Sequence, residues 1–248
     1  MNRHHLLAPF FLFTVTAFAA DLPAIPTAPI AKKKELLFSD DFERAELGKA
    51  WGQVVPIFTL EKGALKGTQM RFDTSAADGK PAVKGHQAVI GTDVPTKDSV
   101  IEMKFRIPGA SSVTAEFDDR NFTGSHYGHI CMVRIAPKSV ILTDQRDGGA
   151  NNELQAMAAD PTKKEERAKR LAGRSGTYPV DLAAEAWHQL TLETVGDTMR
   201  ATIDGKPVAF LKSSGIAHPT KSKVEFGCMG KDGFFDDIKI WNAEPAKP

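Results

Sequence analysis

A chain of 248 residues with 42% hydrophobic and 25% charged side chains has ordinary globular composition, long enough for one large core or two small ones. Its 32 basic and 31 acidic residues nearly cancel to a formal charge of +1, with no extended basic run beyond Lys32-Lys33-Lys34. Nucleic-acid binding needs lysine and arginine clustered on one face, so that class of partner is excluded.

The N-terminus predicts export. Arg3, His4 and His5 precede an apolar run from Leu6 to Phe18, and Ala17-Phe18-Ala19 supplies small side chains at a cleavage site. This is the pattern of a secretory signal peptide over residues 1–20, too short for a membrane span, and no second long apolar segment follows it. The expectation is a periplasmic or extracellular protein with no membrane span after cleavage. Residues 21–34, with Pro23, Pro26 and Pro29 among small residues, read as an extended leader without a core to bury. The folded domain is expected over residues 35–243.

Strand signals then dominate. Glu35 to Phe42 reads as a strand entering a turn, and the runs Val54 to Leu60 and Glu61 to Gly67 follow, with Lys-Gly pairs marking tight turns between short strands. Val100 to Ile107 alternates cleanly, with Ile101, Met103, Phe105 and Ile107 inward and Glu102, Lys104 and Arg106 outward. Val113 to Asp119 is read as its hairpin partner, which sets Lys104 and Glu102 opposite Thr114, Glu116 and Asp118. Either register makes two carboxylates face each other, a destabilising arrangement unless a cation, a shared proton or a ligand relieves it.

Gly128 to Ala136 and Ser139 to Asp147 form a second expected hairpin around Pro137-Lys138. The period then changes. Asn151 to Ala159 reads as a short helix, and Asp160-Pro161 opens another with Glu165 and Glu166 early, Arg167, Lys169 and Arg170 late, and Gly173 as its stop. The last quarter, Trp187 to Trp241, holds five short alternating runs punctuated by Gly196-Asp197 and Asp204-Gly205, read as an antiparallel meander that must cover a second sheet. The predicted fold is therefore all-β: a two-sheet antiparallel sandwich with a short helical insertion around residues 150–172.

Several of these pieces carry a resemblance. Phe38-Ser39-Asp40-Asp41-Phe42, Trp51, Gly63-Ala64-Leu65-Lys66-Gly67, Trp187-His188, Ile203 to Val208 and Gly233 to Trp241 together resemble secreted concanavalin A-like jelly-roll domains. Within that group the chain looks most like the 3-keto-disaccharide hydrolase family and the laminin-G-like domains beside it. The resemblance implies a jelly roll that acts on sugars outside the cytoplasm. It leaves open a non-catalytic carbohydrate-binding module, or an adhesion domain that binds protein, because a sandwich hosts binders as readily as enzymes.

Candidate chemistry sits in the middle strands. Glu116-Phe117-Asp118-Asp119-Arg120-Asn121 has the Glu-x-Asp that family-sixteen glycoside hydrolases carry, but Arg120 and Asn121 stand where their second glutamate is required. Retaining hydrolysis needs two carboxyl groups about 5–5.5 Å apart, so that mechanism is rejected unless Glu102 supplies the acid. A 3-keto sugar permits other chemistry: a base removes the acidified proton on C2, the C1 substituent leaves, and water adds back. Glu116, His129 or Asp144 is the candidate base. Arg106, Arg134 or Arg146 is the candidate holder of the oxyanion, with Asp118, His126 and Tyr127 as further substrate contacts.

Each has a plainer alternative. Glu116 and Asp118 could belong to a solvated face paired with Lys104 and Arg106, and His129, sharing a face with Cys131 and Val133 by simple alternation, could be a satisfied core histidine. Cys131 and Cys228 are either bridged or two buried thiols. Asp40-Asp41 and Asp236-Asp237 could share Ca²⁺ or, more simply, cap strand ends. No motif fixes a cofactor or a metal, and the expected partner is a carbohydrate.

Overall fold

The computed structural model describes residues 22–53, 57–70 and 85–247; the expected signal peptide and Val54-Val55-Pro56 lie outside them. Fifteen strands alternate between two antiparallel sheets. In chain order they are β1 (Ala31–Asp40), β2 (Gly52–Gln53), β3 (Phe58–Glu61), β4 (Ala64–Gly67), β5 (Ala88–Thr96), β6 (Ser99–Arg106), β7 (Ala110–Asp118), β8 (His129–Ala136), β9 (Ser139–Asp144), β10 (Ser175–Pro179), β11 (His188–Val195), β12 (Thr198–Ile203), β13 (Lys206–Lys212), β14 (Lys221–Gly230) and β15 (Gly233–Pro245). One sheet runs β13-β12-β11-β6-β15-β4-β3, with β1 also on β15; the other runs β10-β9-β8-β7-β14-β5-β2. The expected two-sheet sandwich is what forms.

The core lies between the sheets, where the inward positions of each strand meet. Ile101, Met103 and Phe105 of β6 and Leu190 and Leu192 of β11 face Val113, Ala115 and Phe117 of β7 and Ile130, Cys131 and Val133 of β8, all fully buried. Burying each large apolar side chain contributes about 1.5–3 kcal/mol. Phe226 and Phe235 bridge the layers with ring centroids 6.0 Å apart, and Trp51 packs on Phe226 at 5.9 Å. Trp51 also donates from Nε1 to Asp40 Oδ2 at 2.6 Å, so the first aspartate pair caps the turn after β1. Cys131 and Cys228 are free thiols on strands separated by β7, and burial pushes them up to about 12 and about 11.

Three expectations are corrected here. β6 and β7 are not a hairpin: after β6 the chain crosses to the other sheet, because both strands have an apolar face and each completes a different layer. Glu116 therefore never faces Lys104 or Glu102; its cross-strand neighbours are Glu225 of β14 and Met132 of β8. The final quarter is not one meander. β11, β12 and β13 are, but β14 lies in the opposite sheet between β7 and β5, and β15 returns.

The leader is not free of core contacts either. β1 already begins at Ala31, pairing with β15, and the segment before it is tied to a buried ion pair. Arg200 binds Glu193 at 2.5 Å and donates to the carbonyls of Pro26 and Thr27, while Glu193 Oε1 accepts from the Ile30 and Ala31 amides.

The helical insertion consists of α1 (Asn152–Met157), capped by Asn151, and α2 (Lys164–Leu171), which follows a 3-10 turn over Pro161–Lys163 that Asp160 caps by accepting from the Thr162 amide. No described helix is long and apolar enough to cross a membrane.

Candidate active site

A cavity of about 770 Å³ opens on the outer face of the seven-stranded sheet. Its floor is set by alternation: Thr114, Glu116 and Asp118 of β7 and Lys223, Glu225 and Gly227 of β14 point outward, opposite to Phe117 and Phe226 in the core. At Gly227 the space matters, because a Cβ there would collide with Thr114 Oγ1 and the side chain of Gln87.

His129 reaches this face through a β-bulge. Phe117 pairs with Cys131 but the next residue, Asp118, pairs with His129, so Ile130 is an extra residue on β8. The bulge rephases the strand. Cys131 and Ile130 stay in the core while His129 swings to the cleft, which overturns the core-histidine alternative.

There His129 Nδ1 lies 2.8 Å from Asp118 Oδ1 and 3.1 Å from Glu116 Oε1. Glu116 Oε1 also accepts from Gln145 Nε2 at 3.4 Å, and Lys223 donates to Glu225. Among the described residues no hydrogen bond reaches Glu116 Oε2.

The charge count explains the electrostatics. Glu116, Asp118 and Glu225 bring three carboxylates to one buried patch, and His129 and Lys223 bring two cations. Burial, reinforced by the charges of Asp118 and Glu225 and opposed by His129, pushes Glu116 up to about 7. Glu225 also rises, first through burial and then through Asp118. Burial alone would lower His129, but the hydrogen bond to Asp118 and the charges of Glu116, Asp118 and Glu225 raise it to about 9. At neutral pH the site thus holds a half-ionised carboxyl beside a protonated imidazole. Glu116, Asp118 and His129 present donor atoms within 4.8 Å of one another, a spacing that could accept a small cation. The Nδ1 lies between both carboxylates, so the same three groups can share a proton.

The rim is built by the loop from Asp119 to Gly128. Asp119 donates its amide to Gly128 O at 2.9 Å, and its Oδ2 lies 2.9 Å from His218 Nε2. Tyr127 adopts φ +50° and Gly128 φ +79°, and a Cβ at 128 would strike Asp119 O, so only glycine closes this loop. Tyr127 is left 82% exposed over the mouth, edge-on to His126 with ring centroids 4.3 Å apart. The helical insertion braces the loop through His126 N to Ala150 O and Asn152 Nδ2 to Thr123 O, and it delivers Gln145.

Of the residues singled out from the sequence, the cleft gathers Glu116, Asp118, His126, Tyr127, His129 and Arg134. It does not gather Asp144, Arg146 or Arg106. Asp144 shares the inward face of β9 with Val140 and Leu142, is fully buried, and accepts from Ser213 Oγ at 2.5 Å and the Gly215 and Asp147 amides at 2.9 Å. It ties loops together and touches no solvent. Arg146 is engaged by Asp147 and the carbonyl of Ser214. Arg106 lies on the outer face of the other sheet, 4.4 Å from the Phe234 ring centre and 5.4 Å from that of Trp187.

Sequence reasoning missed Lys223, Glu225, Gln87 and Gln145. The alternation Lys223-Val224-Glu225-Phe226-Gly227, with a glycine on the charged face, was the available signal for the first two.

No protein-family model matches the chain, and no curated protein matches its sequence. Solved structures do match its shape. The laminarinase catalytic domain from Thermotoga maritima superposes with a TM-score of 0.56 at 13% identity, covering 85% of this chain and 99% of that one. An endo-β-1,3-glucanase from Pyrococcus furiosus gives 0.58 at 9% identity over 88% and 100% of the two chains, and a laminarinase from Flavobacterium sp. UMI-01 gives 0.54 at 12% over 84% and 100%. The fold is a concanavalin A-like jelly roll. At these identities the likeness is one of fold alone, and this jelly roll's narrower resemblance to 3-keto-disaccharide hydrolases stays with its sequence motifs.

Proposed function

We propose that the protein is an exported carbohydrate-active enzyme that cleaves 3-keto-glycosides by elimination and hydration. The observation that carries this reading is the meeting, in one cleft, of the buried Glu116 carboxyl with the His129 imidazole, whose Nδ1 lies 3.1 Å from Glu116 Oε1 and 2.8 Å from Asp118 Oδ1. Such a pair suits base and acid roles at the same pH. Glu116 Oε2 takes the proton from C2, acidified by the neighbouring ketone. The electron pair forms the C1–C2 double bond as the C1–O bond breaks, and His129 returns a proton to the departing sugar oxygen. Water then adds across the double bond, so the net reaction is hydrolysis.

Asp118 positions His129 and keeps it charged. Retaining hydrolysis by two carboxyl groups fits less well, because Arg120, at the second-glutamate position, is turned to Asp93 Oδ1 at 2.7 Å. Export rests on the signal-peptide pattern of residues 1–20, and mass spectrometry of the mature N-terminus checks it.

The test is to incubate the purified protein with 3-keto-glucosides and with unmodified oligosaccharides. Release of free sugar from the oxidised substrate alone is expected. Binding of either class without turnover would replace the enzyme with a carbohydrate-binding module.

A further inference from the structure

One cation in the cleft has nothing to neutralise it. Among the described residues the other lysine and arginine side chains of the lining are engaged, Lys223 by Glu225 and Arg120 by Asp93. Arg134 is not. It stands on the cleft face of β8 opposite Thr114, its Nε is buried without a hydrogen-bond partner, and it makes no ion pair among the described residues. In the same cleft, Gln87 Oε1 is likewise buried and without a hydrogen-bond partner among the described residues, in the hollow that Gly227 leaves open. Unpaired buried polar groups are costly, and an arginine even more so, unless a ligand completes them.

Position adds to this. Thr114, the cross-strand neighbour of Arg134, lies two residues from Glu116 on β7, roughly 7 Å along the strand, which is the scale of one pyranose unit. The guanidinium fork matches planar carboxylates and the oxygens of sulfate alike, and a neutral sugar offers it only hydroxyls.

We propose that the cleft takes a saccharide carrying an anionic substituent, a uronic acid carboxylate or a sulfate ester, seated on Arg134 about one ring away from the carbon that Glu116 deprotonates. This rests on the carbohydrate reading of the cleft and narrows its substrate to acidic glycans. Gln87 then accepts from a hydroxyl of the same ring.

Calorimetric titration of the full chain with three probes tests it: glucuronosyl-glucose, 6-O-sulfated cellobiose and cellobiose. At least one acidic probe is expected to bind about tenfold to a hundredfold tighter than cellobiose, the span of one charge-assisted hydrogen-bond pair. Which acidic probe wins distinguishes carboxylate from sulfate. Arg134→Gln should abolish the preference for the acidic probe, weakening it far more than cellobiose, while Arg134→Lys keeps part of the preference. Equal affinity of the native protein for all three probes overturns the proposal without touching the carbohydrate reading, as does an Arg134→Gln loss that is the same for acidic and neutral probes. No binding of any probe overturns both.

Discussion

Two buried ionic clusters in this protein behave in opposite ways. Arg200 and Glu193 form a matched pair, 4% and 3% exposed, whose remaining donors and acceptors are taken up by the Pro26 and Thr27 carbonyls and the Ile30 and Ala31 amides. In the Glu116 cluster three carboxylates are in direct contact with two cations, and the further cation of the cleft, Arg134, makes no ion pair among the described residues. The first cluster holds the N-terminal segment against the sheet. The second stores a proton. Burial is common to both, so the difference comes from charge balance: a satisfied pair fastens structure, and an unbalanced one titrates in the working pH range.

The largest effect should separate the clusters by function. Glu116→Gln is expected to lower sugar release from 3-keto-glucosides by about 10²- to 10⁴-fold, the usual weight of a general base, and His129→Ala should act similarly. Normal rates in both variants would remove these residues from the chemistry. The matched pair should answer to stability instead. Arg200→Met leaves Glu193 buried and alone, at a cost of about 3–5 kcal/mol in denaturant unfolding, whereas Arg200→Met with Glu193→Leu recovers most of that loss.

The pH dependence sharpens the contrast. Glu116 titrates higher folded, at about 7, than its ordinary 4.5, so its contribution to stability is full below pH 4.5 and is lost as pH rises to 7. His129, raised from 6.5 to about 9, adds stability that is full below 6.5 and fades as pH rises through 9. Glu116→Gln should therefore remove the slope between pH 4.5 and 7, a change of roughly 1–3 kcal/mol. Turnover should follow a bell with limbs near 7 and 9, and Asp118→Asn should draw the upper limb downward. A profile unchanged by Asp118→Asn would free His129 from that carboxylate. Smallest is the rim: Tyr127→Ala should raise KM several-fold, about 1 kcal/mol of lost ring stacking, with kcat nearly unchanged.

Much of the fold was legible because it is written in local period. The alternation of β6 and of β11, the Asp204-Gly205 turn and the Asp160-Pro161 helix start each depend on a few neighbouring residues. The assignment of strands to sheets was not, since β6 and β7 are equally good hairpin partners by pattern and only the closing of two layers separates them. The same gap misdirected the site. The hairpin reading set Glu102 opposite Glu116 or Asp118, whereas the carboxylate across from Glu116 is Glu225, more than a hundred residues away. A single extra residue, Ile130, moved His129 from core to cleft, and Asp144, a carboxyl side chain like Glu116, was removed from chemistry by four hydrogen bonds from its own neighbours.

Burial, reinforced by the charges of Asp118 and Glu225, lets Glu116 share protons with its surroundings near neutrality. Carboxyl and imidazole carbon shifts of the labelled protein, followed by NMR from pH 3 to pH 10, measure this directly. The account predicts a Glu116 side-chain transition near pH 7 and a His129 transition near pH 9. Transitions at the ordinary values of 4.5 and 6.5 would contradict it.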